Sequence, residues 1–325
     1  MVVQEDVRRW FDRRTSRASD WQTSGLVDVK GDTTVSVVLP ALNEQETVGA
    51  IVATIRARLM ERYGLVDELV VMDSGSTDGT YDVAVQAGAK VVRREEVLGE
   101  FEPLPGKGEV LWRSLAATTG DILVFIDSDL RDFTPTFVTG LLGPLLTDPS
   151  VHLVKATYDR PLMHGRTVVP AGGGRVTELV ARPMINLHWP ELAGFVQPLS
   201  GEYAGRRELL EQLPFPTGYG VEIGMLVDAL RLVGLPALAQ VDLSRRKHRN
   251  QEIGKLGRMS SEILQVAYER LRREGRLAMA PPATELTQFE RSGDDYVLLT
   301  MDMAPVERPP MRTVAEYMSR YREAS

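Results

Sequence analysis

The sequence predicts an α/β fold in which helices cover both faces of a mostly parallel β-sheet. Between residues 35 and 146, short β-branched apolar runs alternate with segments whose apolar residues recur at helical spacing. A strand, a helix and a second parallel strand form a right-handed crossover, so the alternation builds one continuous sheet. We therefore expect functional residues where the carboxyl ends of the strands meet the loops that follow them.

The composition is that of a globular protein and excludes several kinds of site. Of the 325 residues, 43% are hydrophobic and 26% are charged, which supports a sizeable core. The absence of Cys excludes disulfides, zinc–thiolate sites and thiol nucleophiles. The net charge of −7 disfavours a general polyanion binder. With no long apolar run and no secretory leader, we expect no membrane span and a cytoplasmic location.

Regular elements can be assigned through the first half of the chain. Residues 1–30 are polar with scattered aromatic residues and predict an arm laid over the main domain. Residues 35–39 predict a buried strand that ends at Pro40, and Asn43 with Glu46 has the spacing of a capping box ahead of a helix. The same patterns predict strands at 68–72, 90–93 and 122–126 and helices at 78–86, 109–117 and 136–146.

The second half of the chain is less regular. Glycine-rich and proline-rich loops interrupt it, a long helix is predicted over 252–272, and a last strand is predicted over 296–300. We divide the chain into the arm at 1–30, two halves at 31–150 and 151–275, and a C-terminal tail at 276–325.

The glycine patterns of several common α/β enzymes are missing. Lys107 lies between Gly106 and Gly108, so no Ser or Thr follows it, and no Gly lies five residues before Gly106, which excludes a Walker A loop. No G-x-G-x-x-G follows the first strand, and no G-x-S-x-G elbow occurs. Dinucleotide-binding proteins and α/β-hydrolases are therefore disfavoured.

Two aspartates, Asp127 and Asp129, follow a buried strand. Alternation along the strand places them on one side, where two carboxylates can engage a divalent cation directly or through water. Such a cation neutralises the charge of a diphosphate leaving group. A pair of turn-forming aspartates is the alternative reading, because aspartate is common after strands.

Two further motifs precede this D-x-D pair. Val38–Glu44 closes the first strand with P-x-x-N-E, and residues 73–80, DSGSTDGT, close the second. Three polar motifs in this order at strand ends resemble the GT-A glycosyltransferases. The resemblance implies a Rossmann-like GT-A fold. Residues 31–150 would be its nucleotide-sugar-binding half, residues 151–275 an acceptor-binding half that elaborates the acceptor side, and residues 276–325 a C-terminal tail.

The second half narrows the resemblance. The segments that carry it are 105–109, 172–179, 197–203, 218–224 and 248–250. From about residue 35 to about residue 261, the chain is similar to the glucosyl-3-phosphoglycerate synthases of actinobacteria. The arm and the tail match less well.

This resemblance implies roles at the donor site. The positions matching the family's nucleotide-sugar-binding residues are Pro40, Ala41, Leu42, Glu44, Ser74, Lys107, Asp127, Ser128, Tyr219 and Glu222. It implies catalytic roles for Lys107, Asp127, Asp129, Leu199 and Glu222. Lys107 suits a diphosphate as a point charge. Tyr219 and Glu222, three residues apart on a predicted helix, match positions near the transferred sugar but equally suit an ordinary surface.

The resemblance also implies a metal site and an acceptor site. Asp129 and His248 match the family's ligands for Mg²⁺, with Mn²⁺ as a possible substitute, and Gly174, Arg175, Thr177 and Asn250 match residues that hold the acceptor's phosphate. A glycine turn before a helix N-terminus, with an adjacent Arg and a hydroxyl, suits phosphate. The basic run around His248 equally suits a solvated face.

The resemblance predicts a retaining transfer of glucose from UDP-glucose to the 2-hydroxyl of 3-phosphoglycerate. It also implies that the protein is a homodimer. Transfer of mannose from GDP-mannose is the nearest alternative. A sugar-phosphate nucleotidyltransferase and a non-catalytic sugar-nucleotide sensor are further readings, and a polyisoprenyl-phosphate glycosyltransferase is disfavoured by the lack of a hydrophobic anchor. No partner nucleic acid or membrane is expected.

Overall fold

The computed structural model describes residues 2–159, 162–164, 167–169, 174–245, 253–278, 282–292 and 295–323. Its strands are β1 Thr15–Arg17, β2 Val35–Ala41, β3 Glu68–Asp73, β4 Lys90–Arg93, β5 Ile122–Phe125, β6 Leu153–Asp159, β7 Leu162–His164, β8 Thr167–Val169, β9 Tyr203–Arg206, β10 Phe215–Pro216, β11 Leu238–Arg245, β12 Glu285–Ser292, β13 Asp295–Asp302 and β14 Glu307–Arg308. Its helices are α1 Val2–Arg14, α2 Thr23–Lys30, α3 Val48–Ile55, α4 Thr80–Ala87, α5 Lys107–Ala117, α6 Thr136–Thr147, α7 Arg182–His188, α8 Arg207–Leu210, α9 Val221–Val233, α10 Ile253–Arg273 and α11 Ala315–Glu323.

A single large sheet organises the described part of the chain. Its strand order is β1-β11-β6-β9-β5-β2-β3-β4. All neighbouring pairs are parallel except those of β9, which runs antiparallel to both β5 and β6. The carboxyl ends of the parallel strands and the amino end of β9 therefore lie at one edge of the sheet.

Hydrophobic cores lie on both faces of the sheet. Alternate residues of β5 enter opposite cores: Leu123 and Phe125 lie with α5 and α9, whereas Ile122 and Val124 lie with α3 and α6. Every residue of β5 is buried. A strand covered on both faces has a continuous apolar sequence, which is why β5 could be predicted from the sequence.

The predicted helices and strands are found with boundaries within two residues of those expected. One boundary prediction was wrong: β2 does not end at Pro40 but continues to Ala41, with Pro40 paired to Met72 of β3. On its other side, the register with β5 reaches only Val38. Proline's missing N–H therefore leaves no gap in a ladder there.

The N-terminal arm is built into the sheet rather than laid over it. β1 adds a parallel edge strand beside β11. Trp10 is buried, and its indole N–H donates to the carbonyl of Leu238 at 2.8 Å. The arm thus protects one edge of the sheet and fills part of the core.

The C-terminal region contributes to the same core. β12 and β13 form a separate antiparallel hairpin, whereas β14 pairs with β10. Met311, Val314 and Tyr317 are buried in the core on the α5 side. Within the described ranges, no helix combines the length and the apolar character needed to cross a bilayer.

Candidate active site

The polar residues predicted to act together lie at one edge of the sheet. The loops after β2, β3 and β5 and the turn that enters β9 all meet there, since parallel strands end on the same side and β9 starts on it. The amino ends of α5 and α9 face the same edge with Lys107 and Glu222. The antiparallel strand was not expected, and it brings residues 199–202 into the site.

A lysine and two carboxylates form the centre of this edge. The ammonium of Lys107 lies 2.6 Å from Oδ1 of Asp127 and 3.3 Å from Oε1 of Glu222. About one fifth of the Lys107 side chain is exposed, while Glu222 is buried. Lys107 therefore contacts two other residues predicted as catalytic, and the three come from three separate elements.

The charge of Lys107 is held by these neighbours. Burial by itself would lower its pKa, but the carboxylates of Asp127 and Glu222 outweigh that effect and raise the pKa above its ordinary value. Lys107 is therefore an ammonium at any working pH. A permanent positive charge at the strand ends suits a ligand that gains negative charge.

The glycines around Lys107 allow a close approach of two backbones. A Cβ on Gly108 would lie 1.8 Å from the carbonyl oxygen of Pro216, and one on Gly106 would lie 2.2 Å from that of Thr217. Gly106 also has φ of +114°, which L side chains rarely adopt. The start of α5 is thereby fixed against the loop that precedes α9.

A further glycine, Gly201, fits against the central ion pair. A Cβ there would lie 2.3 Å from Nζ of Lys107 and 2.5 Å from Oδ2 of Asp127. In the antiparallel register of β9 with β5, Tyr203 pairs with Phe125. Continuing this register two residues beyond the pair places Gly201 opposite Asp127. Only a residue without a side chain leaves both charged groups in place.

The two loops predicted to hold the nucleoside are tied together. Ser74 donates its N–H to the carbonyl of Ala41 at 2.9 Å, and Asn43 Oδ1 accepts the N–H of Thr77 at 2.8 Å. Asn43 has φ of +59° and bridges the loops, so the capping-box prediction for Asn43 and Glu46 was wrong. The helix instead begins at Val48 after Thr47. The Asn43 side chain therefore makes a hydrogen bond between the two loops and does not cap the helix.

Buried hydroxyls connect these loops to the D-x-D segment. Ser128 Oγ donates to the carbonyl of Pro40 at 2.7 Å, and Thr47 Oγ1 donates to the carbonyl of Ser128 at 2.6 Å. Glu44 is partly buried, and its N–H donates to Thr80 Oγ1 at 2.7 Å. Leu42 is 54% exposed and thus open to a ligand above the loop.

The residues present fit a divalent cation that is shared with a diphosphate. Asp127 and Asp129 are both partly exposed, while Ser128 between them is buried, as alternation predicts. Among the described residues, no group of three or more His, Cys, Asp or Glu is assembled to hold a metal. Mg²⁺ usually takes one or two protein carboxylates and completes its shell with phosphate oxygens and water. Asp129 at the strand end matches that kind of site.

The predicted acceptor residues are described in part. Arg175 and Val176 begin a helix that continues through a π-helical segment, Thr177–Ala181, into α7. Gly174 precedes it with φ of +74°, and the carbonyl of Gly174 accepts the N–H of Glu178 at 3.0 Å. A helix therefore follows the glycine turn, as predicted, and it begins at Arg175. Gly172, Gly173, His248 and Asn250 lie outside the described residues.

Tyr219 and Glu222 do not lie on one helix, contrary to prediction. α9 begins at Val221, so Tyr219 lies before it, 47% exposed, with its N–H donating to Oε2 of Glu262 at 2.6 Å. Gly220 ends that turn. Leu199 is half-buried in the turn before β9, on the site edge.

Sequence reasoning missed several residues that support the site. Glu109, Lys155, Glu202 and Tyr203 are fully or almost fully buried beneath it. Lys155 could have been found, because a lysine inside the apolar strand segment Leu153–Ala156 is unusual. Glu109 gave no such signal, since its partner Arg308 is far away in the chain.

The fold and the site define a metal-dependent glycosyltransferase of the GT-A class. The model of the family called Glycosyl transferase family 2 matches residues 36–170, which span β2 to the region after β8. Both D-x-D and the nucleoside loops fall inside this match.

The chain belongs to the glucosyl-3-phosphoglycerate synthase family. It is 52% identical over 306 residues to the glucosyl-3-phosphoglycerate synthase of Mycolicibacterium smegmatis, covering 94% of this chain and 98% of that protein. The enzyme of that name from Petrotoga mobilis is 46% identical, with 90% of each chain covered.

Solved structures agree with the family. The crystal structure of the Mycobacterium tuberculosis glucosyl-3-phosphoglycerate synthase with Mn²⁺, UDP and glucosyl-3-phosphoglycerate superposes with a TM-score of 0.79 at 48% identity, covering 90% of this chain and 96% of that one. The mannosyl-3-phosphoglycerate synthase of Rubrobacter xylanophilus has a TM-score of 0.87 at 41% identity, with 94% and 99% covered.

Proposed function

We propose that this protein transfers glucose from UDP-glucose to the 2-hydroxyl of 3-phosphoglycerate, with retention at the anomeric carbon and with Mg²⁺ or Mn²⁺ as the metal. The observation that carries the proposal is the contact of Lys107 with Asp127 and Glu222 beside the D-x-D segment. Family membership supports it: relatives are named for this product, and one was crystallised with Mn²⁺, UDP-glucose and phosphoglyceric acid.

Residues at the strand ends would hold the donor. Pro40, Ala41, Leu42, Glu44 and Ser74 form a double loop whose backbone groups face a base and whose carboxylate suits a ribose diol. Hydrogen bonds between the loops set their spacing before the ligand arrives. Ser128, locked to Pro40, keeps the D-x-D segment at a constant distance from that loop. The nucleoside and the diphosphate are then oriented by one rigid edge.

Cleavage of the anomeric bond leaves negative charge on UDP. Lys107 is placed to stabilise this charge because it remains protonated in a partly buried site, where electrostatic interactions are stronger than in water. Asp127 and Glu222 hold the ammonium, and Glu222 or Asp127 can accept hydrogen bonds from hydroxyls of the sugar. Tyr219, exposed beside them, is available to the same sugar.

Asp129, with His248, would hold the metal. When bound, a divalent cation neutralises the diphosphate and lowers the energy of the departing UDP. The described residues contribute Asp129 from the loop that follows β5. Because the protein supplies only part of the coordination shell, the metal and the donor should bind together.

The acceptor would lie against the start of the helix at Arg175. Gly174 and the first amides of that helix suit a phosphate, Arg175 supplies a forked donor, and Thr177 a hydroxyl. Asn250 completes the predicted set. The turn with Leu199 then faces the reacting carbon, where its backbone carbonyl can contact the acceptor's hydroxyl. Positioning of this kind contributes much of the rate.

A matrix of donors and acceptors tests the proposal. UDP-glucose and GDP-mannose are each combined with 3-phosphoglycerate and with glycerate, with Mg²⁺ and with EDTA, and nucleotide release and product are measured. We expect turnover with UDP-glucose and 3-phosphoglycerate that EDTA abolishes. Preference for GDP-mannose would reverse the donor assignment, release of pyrophosphate from UTP and glucose 1-phosphate would indicate a nucleotidyltransferase, and UDP-glucose binding without any UDP release would indicate a sensor.

Three wider predictions belong to this proposal. They are the division into a nucleotide-sugar-binding half at 31–150 and an acceptor-binding half at 151–275, a homodimer and a cytoplasmic location. The family resemblance supports the first two. Light scattering on a size-exclusion column measures the mass of the particle, and cell fractionation measures the location.

A further inference from the structure

One lysine of the described chain is fully buried, directly beneath the site. Lys155 lies in the middle of β6 and is 1% exposed, opposite Tyr203 of β9. Leu153, two residues earlier on the same strand face, belongs to the core beside α5 and α9. A buried ammonium is costly unless hydrogen bonds and charges compensate it, so its contacts identify what it does.

The ammonium of Lys155 holds a backbone carbonyl. Nζ donates to the carbonyl oxygen of Ser200 at 2.6 Å and lies 4.9 Å from the centre of the Tyr203 ring. Both contacts stabilise a cation, the second through the negative face of the ring. Ser200 is therefore bound to the interior of the protein through its peptide group.

The Ser200 carbonyl belongs to the peptide that contacts the catalytic ion pair. Its carbon is bonded to the nitrogen of Gly201, the residue whose Cβ position lies 2.3 Å from Nζ of Lys107. On the other side of Ser200, Leu199 is the residue whose backbone faces the proposed reaction. One hydrogen bond from Lys155 thus acts on the peptide between these two positions.

Other contacts hold the rest of the same turn. Ser200 donates its N–H to the carbonyl of Gln197 at 3.0 Å, and the Gln197 amide donates to the carbonyl of Tyr158 at 2.6 Å. The Tyr158 hydroxyl donates to Oε2 of Glu202 at 2.7 Å. The Ser200 hydroxyl also donates to Oε2 of Glu202 at 3.2 Å. These bonds hold the turn through the N–H and the side chain of Ser200, whereas Lys155 holds its carbonyl.

We propose that Lys155 is a positioning residue for glycosyl transfer, which fixes the Ser200–Gly201 peptide against Lys107 and Asp127 and so sets where Leu199 and the ion pair meet the reacting carbon. The inference rests on the proposed function. Lys155 itself touches neither substrate in this arrangement, because it is 1% exposed and its ammonium is bonded to the Ser200 carbonyl. It acts through geometry.

The charge state of Lys155 gives a measurable signature. Burial lowers its pKa to about 8, partly opposed by Glu222 of α9 and Glu202, while Lys107 of α5 lowers it further and Asp127 after β5 raises it. Tyr203 of β9 and Tyr158 of β6 also face this region. Above about pH 8 the neutral amine is a weaker donor to Ser200, so kcat should fall as the pH rises through that value.

Three variants test the role. Lys155→Met keeps the stem without the ammonium, and we expect kcat to fall by about 10- to 100-fold while both KM values change by less than about 3-fold. Lys155→Arg keeps a charged donor, so we expect it to recover part of kcat and to show no fall near pH 8. If the arginine variant does not fold, the dependence of kcat on pH in wild type and in Lys155→Met tests the role of Lys155.

Arg206→Met is the matched control. Arg206 also donates to backbone carbonyls, those of Val151 and Leu145, but at the opposite end of β9. We expect it to lower thermal stability and leave kcat of the folded fraction unchanged. Three results for Lys155→Met would each overturn the inference. They are a kcat equal to that of wild type, a loss of kcat no larger than the unfolded fraction of the variant explains, and a fall of kcat near pH 8 that persists in the variant. Wild-type protein without transfer activity would instead contradict the proposed function.

Discussion

Glu109 and Arg308 form a buried ion pair although 199 residues separate them in the chain, with Nε of Arg308 2.6 Å from Oε2 of Glu109. Arg113 binds the same carboxylate at 2.7 Å. Glu109 is two residues from Lys107, so the C-terminal region helps to hold the first turn of α5. The guanidinium of Arg308 also lies over the rings of Phe101 and Trp112.

Arg308→Met should destabilise the protein and lower its activity. Removing one partner leaves the fully buried Glu109 carboxylate incompletely compensated, which costs about 3 kcal/mol in comparable sites. Urea unfolding measures the loss. Arg312→Met, in the same segment but exposed, is the control and should change stability by less than about 0.5 kcal/mol. Equal stability of the two variants would contradict the role assigned to the Arg308–Glu109 pair.

Gly201→Ala should lower kcat of the folded enzyme by about 10²-fold. The new methyl group would lie within 2.5 Å of both Lys107 and Asp127 and separate them. Steady-state kinetics with saturating donor and acceptor measure the effect. Gly25→Ala in α2 has open space around the added Cβ and serves as the control. Wild-type kcat in Gly201→Ala would show that the ion pair tolerates displacement.

Asp129→Ala should lower turnover by at least about 10²-fold, because this carboxylate in the loop after β5 is the described group proposed to hold the metal. Turnover is measured over a range of Mg²⁺ concentrations, and metal binding by calorimetry in the presence of UDP. Asp132→Ala, in the same exposed loop, should stay within a few-fold of wild type. Unchanged turnover in Asp129→Ala would remove the metal role from this residue.

Arg175→Ala should raise the KM for 3-phosphoglycerate far more than the KM for UDP-glucose. The guanidinium belongs to the first residue of the helix that is proposed to hold the acceptor's phosphate. Initial rates with each substrate varied in turn give both constants. Leu187→Ala, exposed near the end of α7, is the control. Equal changes in both KM values would rule out the acceptor assignment.

Acid should weaken the contact of Asp148 with Arg14 of the arm. Hydrogen bonds from Ser150 and Arg14 lower the pKa of Asp148 from 3.8 to about 2, so its ionised form favours the folded state. That contribution is complete above pH 3.8 and is lost as the pH falls through about 2. Asp148→Asn should therefore show a flatter loss of stability between pH 4 and pH 2 in urea unfolding. Parallel curves for the two proteins would contradict this linkage.

The sequence predicted the helices and strands well for a physical reason. β5 and β2 are covered on both faces, so their apolar runs are continuous, and the apolar residues of α3 repeat at helical spacing. Parallel strands end at one edge, and the three motifs at strand ends could therefore be placed together. Asn43 shows the limit: its local spacing suggested a cap, yet its side chain binds Thr77 across the loops.

The amino-acid sequence by itself determined the alternation of strands and helices, the polar loops at the strand ends and the family that these loops resemble. Each of these depends on neighbouring residues or on short sequence patterns. The tertiary structure decided the insertion of β9, the approach of Gly201 to Lys107 and Asp127, the anchor from Lys155 and the contact of Arg308 with Glu109. These contacts join residues from distant parts of the chain, and which of them form depends on how the layers pack around the sheet.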